Sequence, residues 1–321
     1  RLLKPLQYYQ NKYGSLFFGI YKMYLMLEKQ HNRGQDGAGF ASIKLDMNPG
    51  DSFMSRVRSS ENQPIQDVFS KINSELNDVF QDFGKNNLTD LEIKQTYPYL
   101  GELMMGHLRY GTFGNNEIGS VHPFLRQNNW MHRNLVLAGN FNLTNVNELF
   151  DNLVALGQHP KVKADTVTVM EKIGHFLDDE VTKEYKKLKK QGYSKQDASP
   201  IIAENLKIPK ILKKATKNFD GGYVISGMLG HGDAFLMRDP NGIRPAYYFQ
   251  NDEFVVAASE RPAIQTVFNV PFEHVNEVLP GHALIIKKSG KTSMKEILPA
   301  EELKACSFER IYFSRGNDAE I

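Results

Sequence analysis

The sequence predicts an α+β fold in which antiparallel sheet packs against helices. From Gly221 onward, short β-rich runs are separated by glycine, Asn-Asp and Asp-Pro turn signals. Such short connections favour antiparallel pairing, because parallel neighbours need crossover connections of about a dozen residues or more. Before Gly221, long stretches carry apolar residues at helical spacing. Together these observations predict helices and antiparallel strands in separate layers.

The composition is that of an ordinary globular protein with room for a sizeable core. The chain has 321 residues, of which 41% are hydrophobic and 24% are charged, and its formal net charge is +2. This balance does not indicate nucleic acid or an anionic membrane as a partner. The single cysteine, Cys306, allows no internal disulfide, which suits a reducing cytoplasm.

No segment of the sequence has the pattern of a secretory signal or a membrane span. The opening RLLKPLQYYQ lacks an apolar core, and the longest apolar stretch, 16–27, is short and broken by Lys22. We therefore expect a cytoplasmic protein. The chain opens on Arg1 without Met and stops just after an apolar run, so we also expect an excerpt of a longer protein.

Helical periodicity appears in three stretches. Residues 16–27 place apolar side chains at helical spacing, and residues 65–80 do so within a polar stretch at 48–100. Residues 166–217 are helical in pattern and rich in charge. The basic run at 183–197 could be a nucleic-acid patch, but the acids beside it favour a solvated helix face.

Apolar runs bounded by turn signals predict the strands. GELMMGHLR leads into a glycine-rich loop. NLVLAGNFNLTNVNELF is predicted as strand, loop and helix, with Thr144 or Asn145 as the N-cap and Glu148 as its partner in a capping box. Further strands are expected in GFASIKL, GYVISGMLG, DAFLMRD, AYYFQ, EFVVAAS, HALIIKK and FERIYFS.

Four polar clusters follow or interrupt the predicted strands, where loops present side chains to a cleft. They are Asn32–Gly39, Gly106–Thr112, Gly139–Asn145 and Ala164–Thr166.

These clusters contain what an α-amino acid carboxamide substrate would need. Arg109 can hold a carboxylate with two hydrogen bonds through its planar guanidinium. Asp165 suits an ammonium group. The amide of Asn140, with the backbone N–H beside it, suits an oxyanion hole. The set contains no nucleophile.

Each of these residues has a structural alternative. Arg33 could tie its own loop through backbone carbonyls, and Asp165 could be a helix N-cap. Asn140 could be a turn residue, because Asn tolerates left-handed dihedrals. Cys306 is best interpreted as a small buried residue on an apolar strand. Zinc is not indicated, because the nine histidines show no His-x-x-x-His spacing and there is no cysteine pair.

In combination, the clusters resemble the class II glutamine amidotransferases. HNRGQDGAG is similar to that family's His-Arg-Gly-Gln-Asp/Glu loop, with Asn32 inserted after His31. GHLRYGT resembles its Gly-His-x-Arg-Tyr-Ser/Thr-Thr strand end, and GNFNLTN its Asn-Gly-Asn-Leu-Thr-Asn oxyanion loop. ADT resembles its Ser-Asp-Thr/Ser segment.

A second set of segments resembles the amidophosphoribosyltransferase branch of the family. These segments are MRDPNGIRPAYYF, VVAASERPAI, VLPGHALII and CSFERIYFSR. The resemblance covers nearly the whole chain in order, so we expect one glutaminase domain over 1–321. The stretches near 48–100 and 178–210 look like helical insertions in it.

The resemblance implies the fold of the N-terminal-nucleophile hydrolases, a four-layer αββα sandwich of two antiparallel sheets between helical layers. It implies that Arg109 holds the glutamine carboxylate, Asp165 its ammonium group, and Asn140 with the N–H of Phe141 the oxyanion. Three further motif residues are expected around the substrate: Arg33, Tyr110 and Thr112. Of these, Arg33 would brace the loops around the nucleophile.

The family's nucleophile is a cysteine that becomes residue one and uses its own α-amino group as base. Its Cys-Gly-Ile strand is not in the sequence, so we expect this cysteine upstream of Arg1. Two positions depart from the family pattern: the family usually has Gly where this chain has Phe141, and often has His where this chain has Gly139. A backbone N–H of Phe141 can still donate if its φ is negative, whereas a positive φ would compromise the oxyanion hole.

The resemblance also implies partners beyond glutamine. Ammonia would pass to phosphoribosyl pyrophosphate in a fused or associated phosphoribosyltransferase domain, in purine biosynthesis, and a homo-oligomer is expected. That domain's signature is absent from the sequence, so no cofactor is expected here, and Mg would be needed only there. Two alternatives remain: a non-catalytic glutamine-binding or regulatory module, and an amidotransferase with another acceptor.

Overall fold

Helices and antiparallel strands alternate along the chain in the computed structural model, which describes residues 1–76, 88–111, 118–160, 163–313 and 318. The predicted α+β class is confirmed. The chain divides into two units. Unit 1 comprises Arg1–Pro123, Ala246–Glu277 and Phe308–Ile321, and unit 2 comprises Phe124–Pro245 and Val278–Ser307.

The helices agree with the helical periodicity of the sequence in most places. Within the described residues none is long and apolar enough to cross a membrane. In chain order they are α1 (Leu6–Tyr13), α2 (Phe18–Lys29), α3 (Pro64–Leu76), α4 (Asp90–Thr96), α5 (Val146–Ala155), α6 (Asp165–Lys190), α7 (Lys195–Asn205), α8 (Ile208–Thr216), α9 (Arg261–Phe268) and α10 (Ser307–Ile311).

All strand pairs in the described part of the chain are antiparallel. The strands are β1 (Gly37–Ile43), β2 (Met54–Ser59), β3 (Leu103–Arg109), β4 (Phe124–Arg126), β5 (Leu135–Leu143), β6 (Gly221–Leu229), β7 (Ala234–Arg238), β8 (Tyr247–Gln250), β9 (Val255–Ala258), β10 (Asn276–Glu277), β11 (His282–Ile286) and β12 (Thr292–Glu296).

Unit 1 contains two three-stranded sheets, in the orders β2-β1-β3 and β10-β8-β9. The first residues of the chain connect them, because Leu2 forms a bridge to Phe254 and donates its N–H to the carbonyl of Glu102 at 2.8 Å. Helices α2 and α3 cover one face of the first sheet. There the fully buried ring of Phe40 packs into the apolar core.

Unit 2 is built on one six-stranded sheet in the order β12-β11-β7-β6-β5-β4. Helices α6 and α8 contact this sheet, and α5 packs on α6. Burial of branched and aromatic side chains from both layers, such as Leu137, Ile173 and Ile225, supplies the main driving force for this packing. Each unit thus combines antiparallel sheet with a helical layer.

Three details of the sequence interpretation need correction. The predicted loop at 139–143 is the second half of β5, which pairs with β6 as far as Leu143. FERIYFS, predicted as a strand, begins with helix α10, so Cys306 precedes a helix and does not lie on a strand. The stretch at 48–100 contains strand β2 as well as helices.

The predicted capping box of α5 is also absent. Asn145 is the N-cap, but its side chain makes no capping bond. Its amide instead donates to the carbonyl of Asn218 at 2.8 Å, and the hydroxyl of Thr144 bonds to Asp220. These partners attach the start of α5 to the segment before β6. Tertiary partners have therefore replaced the local cap.

Candidate active site

The loop before β1 lies directly on the end of β3. A side chain at Gly34 would bring its Cβ to 2.6 Å from the backbone carbon of Arg109, so only glycine permits this approach. The N–H of Asp36 donates to the carbonyl of Arg109 at 3.0 Å, and the Asp36 carboxylate accepts from the N–H of Gly111 at 2.7 Å. These contacts fix the position of Arg109, whose side chain is mostly buried.

Arg33 is held between two carboxylates of unit 1. Its guanidinium donates to Glu260 at 3.2 Å and to Glu309, and it lies 5.1 Å from the ring centre of Phe313. The Glu309 side chain is only 1% exposed, so this pair is shielded from solvent. Arg33 therefore ties the loop before β1 to α10 and to the residue before α9. The partners are carboxylates, not the backbone carbonyls considered above.

Tyr110 lies on the surface at the end of β3, with 44% of its area exposed. Its ring meets that of Phe313 edge-on at 5.7 Å. The neighbouring Tyr312 raises the pKa of Tyr110 through its charge and a shared hydrogen bond. The phenol therefore stays protonated at neutral pH and can act as a hydrogen-bond donor. Thr112 lies outside the described residues.

Asn140 and Phe141 are neighbours on β5, so their backbone N–H and C=O groups point to opposite sides of the strand within the sheet. The backbone of Tyr223, the partner of Phe141, faces the β7 side of β6. Its carbonyl accepts from the N–H of Asp239 at 2.9 Å, and its N–H donates to the Asp239 carboxylate at 3.3 Å. In an antiparallel ladder this makes Phe141 and Tyr223 a non-hydrogen-bonded pair. The N–H of Phe141 therefore points away from β6, toward an edge where β4 pairs only as far as Leu137.

The two departures from the family pattern are structurally connected. The Phe141 ring packs against the core of unit 2 and covers Gly139, where a Cβ would come within 2.6 Å of it. A larger residue at 139 would therefore displace the ring. The positive-φ residues other than glycine in the described chain are Asp46, Tyr99 and Asn269, so Phe141 keeps ordinary strand dihedrals. Its N–H can thus donate without backbone strain.

Asp165 is the first residue of α6, and the N-cap is Ala164. The Asp165 carboxylate accepts from the N–H of Thr166 at 2.6 Å and from its hydroxyl at 3.2 Å. An acidic side chain in the first turn is favoured by the helix dipole. The alternative that Asp165 is the N-cap is wrong, because Ala164 occupies that position and Asp165 follows it.

The predicted site residues fall in both units. Unit 1 brings together Arg33, Arg109 and Tyr110, and unit 2 holds Asn140, Phe141 and Asp165. The sequence interpretation did not identify Glu260 and Glu309 as the partners of Arg33, although both lie in segments that carried the family resemblance. Among the described residues, no group of three or more His, Cys, Asp or Glu side chains could hold a metal ion.

Comparison with known proteins shows which enzymes this chain resembles over most of its length. No family model matches the chain. The amidophosphoribosyltransferase of Pasteurella multocida is 27% identical over 299 residues, covering 91% of this chain and 49% of that protein. That of Escherichia coli is 28% identical over 301 residues, with the same coverage. Over 91% of its length the chain is similar to about half of each of these two amidophosphoribosyltransferases.

Solved structures agree with this relationship. The glutamine phosphoribosylpyrophosphate amidotransferase of B. subtilis superimposes with a TM-score of 0.60 at 24% identity, over 92% of this chain and 50% of that one. A structure described as the allosteric regulatory enzyme of purine biosynthesis gives a TM-score of 0.62 at 25% identity, with the same coverage. The resemblance to a class II glutamine amidotransferase domain is therefore confirmed. The chain spans about half the length of these relatives.

Proposed function

We propose that this chain is a glutaminase domain, which hydrolyses L-glutamine to glutamate and ammonia. The observation that carries the proposal is Arg109, fixed at the end of β3 by the close approach of Gly34. A guanidinium in a defined position can hold a carboxylate with two hydrogen bonds. The homologous amidophosphoribosyltransferases support the same assignment.

The other site residues would act on the remaining groups of glutamine. Asp165 would pair with the α-ammonium group. The amide of Asn140 and the N–H of Phe141 would donate to the oxyanion that forms when the carboxamide is attacked. The strand geometry of Phe141 supports this role, because its N–H points to the sheet edge and not into the ladder with β6.

The attacking group would be a cysteine ahead of Arg1, with its own α-amino group as base. Attack of its sulfur on the carboxamide carbon would form a tetrahedral intermediate, which expels ammonia and leaves a thioester. Water would then release glutamate. Leu2 lies between the segments that lead into β3 and β9, each the last strand of its sheet. A strand preceding Arg1 would therefore continue beside β9.

The finer proposal concerns the fate of ammonia. In the homologues the matching region is half of a longer protein, and one solved relative is named for phosphoribosylpyrophosphate. We propose that ammonia passes to that acceptor in a fused or associated phosphoribosyltransferase domain, where Mg would be required. Assembly as a homo-oligomer is part of the same proposal.

A second candidate is a glutamine-binding module without turnover. The observation that favours it is the pairing of Phe141 with Gly139, which places an aromatic ring beside the proposed oxyanion donors. This candidate predicts glutamine binding without release of glutamate.

The deciding experiment is N-terminal sequencing and intact mass of the protein purified from its source, followed by an assay of glutamate released from L-glutamine. A free N-terminal cysteine with glutamate release supports the glutaminase. Binding of glutamine without release would favour the binding module. A protein that neither binds nor hydrolyses glutamine would refute both. D-glutamine serves as the control, because the site is expected to recognise both α-substituents.

A further inference from the structure

The positive charge of the chain is concentrated between the end of α6 and the end of α8, in unit 2. Residues 183–217 contain eleven lysines and three acidic residues, whereas the formal net charge of all 321 residues is only +2. In the sequence, the acids just before this segment favoured a solvated face on which the charges offset one another. The structure tests that interpretation, because it shows which cations those carboxylates contact.

The acids that precede the lysines are paired with cations of neighbouring elements. The Asp178 carboxylate accepts from Arg126 of β4 at 2.6 Å and lies 3.3 Å from Arg133, in the segment before β5. Glu180 is only 2% exposed and pairs with Lys210 of α8 at 2.5 Å. These two carboxylates therefore do not neutralise the exposed lysines of α6.

Four lysines line the exposed side of α6, and we call this surface the lysine face: Lys183, Lys186, Lys187 and Lys190. Their spacing of three and four residues places them on one side of the helix, over about 11 Å of its axis. Glu184 pairs with Lys187 at 2.7 Å. Within the part of the chain that the structure describes, no carboxylate lies within 4.0 Å of the other three ammonium groups.

The lysine face surrounds a groove that is open to solvent. The groove has a volume of about 340 Å³ and is lined by the four lysines with Thr182 and Asp179, the latter one turn before Lys183. The Lys183 amine also faces Lys210 of α8. A hydrogen-bonding contact with Lys210, and then its charge, lower the pKa of Lys183. Ammonium groups that repel one another in this way gain from an anion placed among them.

We propose that the lysine face binds the phosphate backbone of a nucleic acid, without selecting a base sequence. A nucleic-acid strand carries a negative charge about every 3.4 Å along its duplex axis, so several phosphates can meet this row of ammonium groups. Lysine binds phosphate as a point charge, and contacts to phosphate carry no sequence information. The inference is independent of the proposed glutaminase.

Two other anionic partners fit this surface less well. A helix that binds a membrane surface inserts apolar side chains beside its cations. Over Asp165–Lys190, all of which the structure describes, no large apolar side chain is exposed. Ile173, Leu177 and Val181 are instead buried in the core of unit 2. A protein partner would need a run of acidic residues as dense as the phosphates of a nucleic acid.

The test is fluorescence anisotropy of the full chain with a labelled single-stranded RNA of mixed sequence, about 20 nucleotides long. The wild type should bind, and log K should fall against log salt concentration with a slope of about −2 to −3, the value for three or four neutralised phosphates. Replacing the three lysines without a carboxylate partner should weaken binding at least about 10-fold at low salt and reduce the slope by about 2. That variant combines Lys183→Ala, Lys186→Ala and Lys190→Ala.

The matched control removes the same charge from three exposed lysines elsewhere in unit 2, by Lys291→Ala, Lys295→Ala and Lys304→Ala. It should bind RNA as the wild type does. Arginine at the three positions of the lysine face should also preserve binding, because the charge is kept. Circular dichroism checks that each variant is folded.

Three results would overturn the inference. The first is a wild type that does not bind RNA even at about 50 mM salt. The second is an equal loss of affinity in the two alanine variants, which would show that only the total charge matters. The third is binding to vesicles of phosphatidylserine and phosphatidylcholine in equal parts without binding to RNA, which would assign the lysine face to a membrane surface.

Discussion

Two loops of the molecule are both polar and both contain glycine, but their polar side chains bond to different kinds of partner. In unit 2, the carboxylate of Asp239 accepts from the backbone N–H groups of Tyr223, Asn241, Ile243 and Arg244 at 2.9 to 3.3 Å. Its neighbour Arg238 donates to three backbone carbonyls, those of Gly242, Arg244 and Val278. These hydrogen bonds hold the loop together and attach it to β6 and to the segment before β11.

In unit 1, the loop before β1 uses its side chains over longer sequence distances. Arg33 pairs with carboxylates more than 200 residues away, and Gly34 packs on the backbone of Arg109. The comparison teaches that the partners of a polar motif reveal its role. A motif that satisfies its own backbone stabilises the fold, whereas one that positions a cation at a strand end can build a site.

The largest expected effect is at Asp239. Asp239→Ala leaves several buried N–H groups without an acceptor, so the free energy of unfolding should fall by about 4 kcal/mol. Chemical denaturation measures this change. Asp239→Asn, which keeps one acceptor oxygen, should lose less. A loss below about 1 kcal/mol for the alanine variant would contradict the structural role of this loop.

Arg33→Ala should destabilise unit 1 by about 3 kcal/mol, because the buried carboxylate of Glu309 loses its ion pair with the guanidinium. The double variant Arg33→Ala with Glu309→Gln should recover part of that loss, since the buried negative charge is removed. Thermal or urea unfolding of the wild type, the two single variants and the double variant gives the comparison. Additive losses in the double variant would show that the two side chains do not stabilise each other.

Acid should weaken unit 2 through His132. Burial first, and then the nearby charge of His231, lowers the pKa of His132 to about 4. Between its usual value of 6.5 and 4 the unfolded chain binds more protons than the folded one, so stability falls as pH falls. We expect His132→Gln to remove about 2 kcal/mol of this pH dependence. An unchanged slope relative to His175→Gln would contradict the assignment.

The smallest expected losses of stability come from substitutions at the N-termini of two helices, α4 and α5. Thr89 and Glu92 form a complete capping box at α4, whereas Glu148 forms none at α5. Thr89→Ala should therefore cost about 1 kcal/mol, and Glu148→Ala less than about 0.5 kcal/mol. Equal losses in urea unfolding would contradict this distinction.

Local patterns predicted the elements whose partners are close in sequence or whose periodicity is strong. The helical spacing at 16–27 gives α2, and GELMMGHLR gives β3 with Arg109 at its end. Arg109, the candidate for binding a substrate carboxylate, could thus be located from the sequence, because its position depends on a strand and an adjoining loop.

The failures have a common physical cause in distant contacts. Residues 139–143 form a strand because β6, about 80 residues later, pairs with them, and this pairing overrides the turn tendency of Asn. FERIYFS begins in a helix, where Phe308 stacks on Tyr312, just past the helix end, at 4.7 Å and Glu309 pairs with Arg33. Local residue preferences contain no information about such partners.

The most direct test of the glutaminase assignment is calorimetric binding of L-glutamine to the wild-type protein and to Arg109→Ala. The assignment predicts that the wild type binds and that the variant binds at least about 30-fold more weakly, a loss of about 2 kcal/mol or more, because the substrate carboxylate loses its cation. Circular dichroism confirms that the variant is folded. Equal affinities in two folded proteins would contradict the central claim that Arg109 holds the glutamine carboxylate.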